Sequence, residues 1–170
     1  PLAALADRTG RTRVIAFTHC SNVIGSVHAV REWCEVVHRA GAIAVVDGVS
    51  YAPHGLPDVA ALGADVYLFS LYKVYGPHLG AMVVRRELAV ALPSQAHFFK
   101  SEAIPGRFTP AGPDHAQVAA VNGVVDYFES VAAHHARKDE KSVAAQAQLV
   151  RTSFQHAESA LLPPLLDFLS

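Results

Sequence analysis

Charge is scarce in this sequence. Only 17% of the 170 residues are Asp, Glu, Lys or Arg, and the formal net charge is −1. So balanced a composition gives no basic footprint for nucleic acid or for an anionic lipid surface. Cysteine is nearly absent: Cys20 and Cys34 stand without CxxC spacing. That excludes a disulfide scaffold and predicts a reducing, cytoplasmic compartment. No apolar run nears the ~20 residues that span a bilayer. The opening PLAALADRTG lacks the order of a signal peptide and also lacks a methionine, so residue 1 is not expected to be the natural start. There is no HExxH and no paired Cys/His spacing, so the ten histidines carry no metal signature. His134 and His135 are neighbours on a predicted helix and face different ways, and His28 and His38 lie too far apart to share an ion. No G-x-G-x-x-G follows a strand, which excludes a dinucleotide site. Repeats and low-complexity segments are absent.

What is present is apolar. Half of the chain (51%) is hydrophobic, enough for one domain with a sizeable core. The stretch from 42 to 84, AIAVVDGVSYAPHGLPDVAALGADVYLFSLYKVYGPHLGAMVV, holds three short apolar runs at 42–46, 66–69 and 80–84. Bounded by Gly, Pro and Asp, they read as buried strands. Asp47 ends the first run, Ser70 ends the second, and Lys73 follows. Ligands of open α/β sheets bind at the carboxyl ends of strands. This stretch therefore brings an acid, a hydroxyl and an amine to one rim.

The flanks agree with an α/β fold. RVIAFT at 13–18 reads as a strand, and Ser26 is placed to cap a helix over 27–40. Val27, Val30, Cys34 and Val37 fall on one face of it, and Gly41 supplies the stop. Strand, helix, strand implies parallel strands with a right-handed crossover. Residues 2–8 read as the end of a helix. Asp58 opens a short helix to about 62, another begins at 85–88, and Asp114 caps one reaching about 135, with Val118, Val121, Val125 and Phe128 on one face. A last helix is predicted over 138–162, ended by Pro163 and Pro164. Between 93 and 113, Pro and Gly recur and periodicity fades.

The phrases THCSNVIGS, VVDGVSYAPHGLPDVAALGADVYLFSLYKVYGPH and RFTPAGPDHAQVAAVNGVVDYF carry a resemblance to a known family. The chain resembles the class V aminotransferase superfamily of fold-type I pyridoxal-phosphate enzymes, nearest to its cysteine desulfurase-like branch. The resemblance spans most of residues 13–130. It implies a mostly parallel sheet flanked by helices, the large domain of a pyridoxal-phosphate-dependent transferase.

It also implies roles. Lys73 matches the lysine that forms a Schiff base with the cofactor aldehyde and then moves a proton at the substrate α-carbon. Asp47 matches the carboxylate facing the pyridinium nitrogen, which keeps the ring an electron sink. Ser70 matches a phosphate-binding hydroxyl, and Asn22 the asparagine at the ring oxygen. Tyr72 stands where desulfurases place a phosphate-contacting histidine, and Ser50 where they place a glutamine. Ala111-Gly112-Pro113 aligns with a phosphate clamp lent by a neighbouring subunit, without its threonine. Cys20 and Cys34 do not match the persulfide cysteine.

The resemblance further implies an amino-acid substrate and a homodimer, with desulfuration or β-elimination first and transamination, racemisation or kynureninase-like hydrolysis also open. Residues 1–136 correspond to the central part of the large domain, and 137–170 to a linking helix and the start of a small domain. The family's stacking ring, substrate-carboxylate arginine and persulfide cysteine fall outside the chain. The contrasting expectation is a catalytically inactive fragment that retains only a packing or dimerisation role.

Overall fold

The computed structural model describes residues 12–100, 104–109, 111–136 and 142–170. The helix expected over 2–8 lies outside them. Four strands form one sheet: β1 (Val14–Thr18), β2 (Ile43–Asp47), β3 (Val66–Ser70) and β4 (Gly80–Val84). Their order across the sheet is their order in the chain. β1, β2 and β3 run parallel and β4 is antiparallel to β3. The connection from β3 to β4 is too short for a crossover, so the fourth strand must turn back. The mostly parallel sheet expected from the sequence is what the chain forms.

Helix α1 (Val30–Arg39) covers β2. Val30, Cys34 and Val37, spaced by four and three residues, meet Ala42, Ala44, Val46 and Tyr67 in a buried cluster. The helix starts three residues later than predicted, with Ala29 as its N-cap and no side-chain cap bond. Ser26 instead offers its carbonyl to the Ser21 amide at 2.9 Å, and Val27 pairs with Cys20 in an antiparallel bridge. Ser26 and Val27 are thereby kept for a loop beside the sheet.

Short helices α2 (Ala52–Gly55) and α3 (Val59–Leu62) link β2 to β3. Asp58 caps α3 as predicted, its Oδ1 accepting the Ala61 amide at 3.1 Å. After β3 a 3₁₀ turn, Leu71–Val74, buries Leu71 and Val74 and carries Lys73 between them. Helix α4 (Arg86–Ala91) follows β4. Two 3₁₀ turns, Phe98–Lys100 and Ile104–Gly106, occupy the stretch without periodicity.

Helices α5 (His115–His135) and α6 (Val143–Leu169) pack on each other. Asp114 caps α5, accepting the amides of Ala116 and Gln117. The inward stripe of α5 differs from the one expected: Val124 and Ala132 are buried, whereas Val118 and Val125 are exposed. The actual stripe keeps Val121 and Phe128 of the predicted face and adds Val124 and Ala132 in place of Val118 and Val125. Ser142 caps α6, which does not stop at Pro163-Pro164 but runs through them. The prolines leave the carbonyls of Ser159 and Ala160 without an amide partner. Both residues are exposed, so water can satisfy those oxygens.

Candidate functional site

The carboxyl ends of β1, β2 and β3 lie along one edge of the sheet, because those strands are parallel neighbours. Each continues into a loop held by backbone hydrogen bonds. After β1, the His19 amide donates to the Asp47 carbonyl at 2.7 Å and the Thr18 hydroxyl donates to the Cys20 carbonyl at 2.7 Å. Ser21 then closes a turn, its Oγ accepting the Val23 and Ile24 amides at 3.3 Å each. After β2, Gly48 donates to the Leu68 carbonyl at 2.7 Å. The exposed Asp47 carboxylate accepts the Val49 amide at 2.9 Å through Oδ1, leaving Oδ2 for another partner.

These loops enclose a cleft of about 600 Å³ lined by Cys20, Ser21, Asn22, Gly25, Val27, Ser50, Tyr51, Pro53, His54 and Lys73. The chain thus gathers three of its predicted site residues, Asn22, Ser50 and Lys73, around one space. Asp47 and Ser70 end the neighbouring strands β2 and β3 but do not line that cleft. Tyr72 is half-exposed, outside the lining, with its ring stacked on His78 at 4.7 Å.

The turn bearing Lys73 is held from behind. Tyr75 closes it in the left-handed region (φ 67°), a conformation that costs a non-glycine residue about 1 kcal/mol. Its ring is fixed by Tyr127 at 5.0 Å and by Phe128 and Phe154 at 6.1 Å, so helices α5 and α6 offset that cost. Gly76 has no room for a side chain: a Cβ would lie 2.8 Å from Val124 and 3.0 Å from the Leu71 carbonyl.

Three aromatic residues, Tyr51 in the cleft lining with His19 and Tyr67 behind it, escaped the sequence reading. His19 is 4% exposed; its ring stacks on Tyr51 at 3.6 Å and its Nδ1 lies 2.9 Å from the Tyr67 hydroxyl. Burial, with His28 adding a little, lowers the His19 imidazole to about 4, so it is neutral at physiological pH. Burial likewise raises the Tyr67 phenol, with Tyr51 and Asp47 adding to the effect. The sequence signal was indirect: Gly48 and Gly55 are the small residues that leave space for the two tyrosine rings. Among the described residues no group of three His, Cys, Asp or Glu could hold a metal ion.

A mostly parallel sheet with an amine-bearing turn and a polar cleft at its carboxyl edge is the arrangement of an α/β ligand-binding domain. The aminotransferase class-V family profile matches residues 3–160, and the chain belongs to that family. It is 46% identical over 95 residues to the aminotransferase-like protein FGM3 of Gibberella zeae, covering 55% of this chain and 24% of that protein. It is 31% identical over 157 residues to a cysteine desulfurase of Cronobacter sakazakii, covering 85% of this chain and 38% of that one. The crystal structure of the Escherichia coli cysteine desulfurase CsdA superposes with a TM-score of 0.68 at 26% identity, over 75% of this chain and 35% of that one. The chain therefore spans between about a quarter and two fifths of these proteins.

The cofactor of this family is pyridoxal 5′-phosphate. The residues present fit it. A primary amine, an amide and a hydroxyl border a cleft within the usual size of a small-molecule site, and a carboxylate with one free oxygen stands on the same edge.

Proposed function

We propose that this chain carries the cofactor-binding centre of a pyridoxal-phosphate-dependent enzyme acting on an amino acid, with desulfuration or β-elimination as its chemistry. The observation that supports this best is the joint presence of Lys73, Asn22 and Ser50 on one cleft at the carboxyl edge of the sheet. When bound, the cofactor supplies an electron sink for charge developing at the substrate α-carbon.

The residues divide the remaining work. Lys73 would hold the cofactor through its Nζ and, with that amine free, would serve as the base for the proton at the substrate α-carbon. Asp47 would hold the ring nitrogen of the bound cofactor and Asn22 its ring oxygen, while Ser70 and Tyr72, which end β3 and follow it, would offer hydroxyls to its phosphate. Ser50 is too short to reach as far as a glutamine would, which leaves more open space near the substrate.

The complete enzyme is a homodimer in the cytoplasm. Val23 (85% exposed) and Ile24 (78%) project from the loop that lines the cleft and offer an apolar surface to a second copy. Cys20 and Cys34 are both free thiols.

The test is direct. Adding pyridoxal phosphate should raise a visible absorbance band, and borohydride reduction should leave the label on Lys73. Label spread over Lys100, Lys138 and Lys141, or no band, would overturn the assignment and favour a packing role for the fragment.

A further inference from the structure

One wall of the cleft is aromatic. Tyr51 lines the space beside Ser50 and Lys73, followed by Pro53 and faced by Val27 from the preceding loop. Its ring lies on the buried His19 ring at 3.6 Å, with 20° between the planes. His19 is in turn tied to the fully buried Tyr67 at 2.9 Å. A Cβ on Gly55 would lie 2.2 Å from the Tyr51 ring, and one on Gly48 2.1 Å from the Tyr67 ring. The three rings form a column running from the core to the cleft, seated on two glycines.

We propose that Tyr51 is a specificity-determining residue of this cleft: a fixed aromatic wall that selects amino acids with uncharged, apolar side chains over those with a carboxylate side chain. This rests on the reading of Lys73 as the cofactor lysine, because that lysine sets where the substrate α-carbon must lie. A ring clamped on its far face loses little entropy on contact and offers dispersion to an apolar side chain. A substrate carboxylate there would be partly desolvated, and among the described residues of the lining only His54 and Lys73 are basic. The imidazole behind the ring is neutral, with burial lowering it to about 4. The remaining basic group of the lining, His54, is already paired with Glu158 at 2.7 Å. Lys73, as the base for the α-proton, is committed to the substrate α-carbon and not to its side chain.

The experiment loads the chain with pyridoxal phosphate and titrates it with L-alanine, L-leucine and L-aspartate, following the shift of the visible absorbance. L-Leucine should bind about tenfold more tightly than L-aspartate. Tyr51→Ala should reduce that ratio to within about threefold and leave L-alanine within about twofold of its original affinity, whereas Tyr51→Phe should keep the ratio. A cofactor-free measurement checks the column: NMR titration of His19 should show its midpoint rising in Tyr51→Ala, where water reaches the ring, and staying in place in Tyr51→Phe. Equal binding of leucine and aspartate by the unmodified chain overturns the proposal. So does uniform weakening of all three amino acids in Tyr51→Ala, or a His19 midpoint that does not move. A visible band with no selectivity sinks this inference alone; absence of the band sinks the Lys73 assignment and this inference with it.

Discussion

Asp65 Oδ2 lies 2.8 Å from Nε2 of His38, and the same oxygen accepts the Ala44 amide at 2.8 Å. Its other oxygen takes Nη1 of Arg85 at 3.1 Å, and its carbonyl takes the Arg85 amide at 2.9 Å. One residue at the mouth of β3 thereby ties together α1, β2 and the end of β4. Burial by itself would raise this carboxyl, but hydrogen bonds from Ala44, His38 and Arg85 outweigh it and hold the group below 3.8. Asp65→Asn should cost about 2 kcal/mol in urea unfolding at pH 7, since it loses charge-assisted bonds at a largely buried position. The folded carboxyl titrates lower than the unfolded one, so its contribution is full above 3.8 and fades as pH falls below that value. The variant should lack this acid-dependent loss.

His19 acts in a different window. Its folded value of about 4 lies below the unfolded 6.5, so between these the unfolded chain binds the extra proton. Stability should therefore rise with pH across that interval, and acidifying from 6.5 to 4 should remove about 2 kcal/mol. His19→Phe, which keeps an aromatic ring between the two tyrosines, should flatten the slope. Urea midpoints measured at half-unit steps decide it: a slope unchanged in the variant assigns the effect elsewhere.

Gly48 and Gly80 make a matched pair. A Cβ on Gly48 meets the buried Tyr67 ring at 2.1 Å, whereas one on Gly80 meets nothing within 4 Å. Gly48→Ala should destabilise by about 3 kcal/mol, and Gly80→Ala by less than about 0.5 kcal/mol. Thermal melts of the two variants suffice. Equal effects would mean that the ring is free to move aside.

The continuation of α6 beyond Pro163 and Pro164 is also testable. Backbone chemical shifts of residues 165–169 should be helical in the unmodified chain. Pro163→Ala with Pro164→Ala restores two donors and should slow amide exchange along that end, with only a small gain in ellipticity. A large gain would mean that the helix ends at the prolines.

Short-range chemistry was legible in the residues themselves. Apolar runs closed by Asp47 and Ser70 became β2 and β3, Asp58 and Asp114 capped their helices, and Gly41 took the left-handed conformation expected after α1. Each of these depends on residues within a few positions of one another. The family phrases pointed to six residues, of which the fold gathers Asn22, Ser50 and Lys73 on one cleft and leaves Asp47, Ser70 and Tyr72 outside its lining.

What the chain alone left open depended on distant partners. Ser26 had the chemistry of a cap, but pairing of Cys20 with Val27 drew it into a loop. Val118 and Val125 shared a helical period with Val121, yet the position of α5 against the Lys73 turn turned Val124 inward instead. The column of Tyr51, His19 and Tyr67 joins three separate segments, and only the parallel pairing of β1, β2 and β3 stacks them. Local sequence sets backbone propensity and the kind of chemistry on offer. Which rings touch, and which side chains lose water, is decided by packing between residues far apart in the chain.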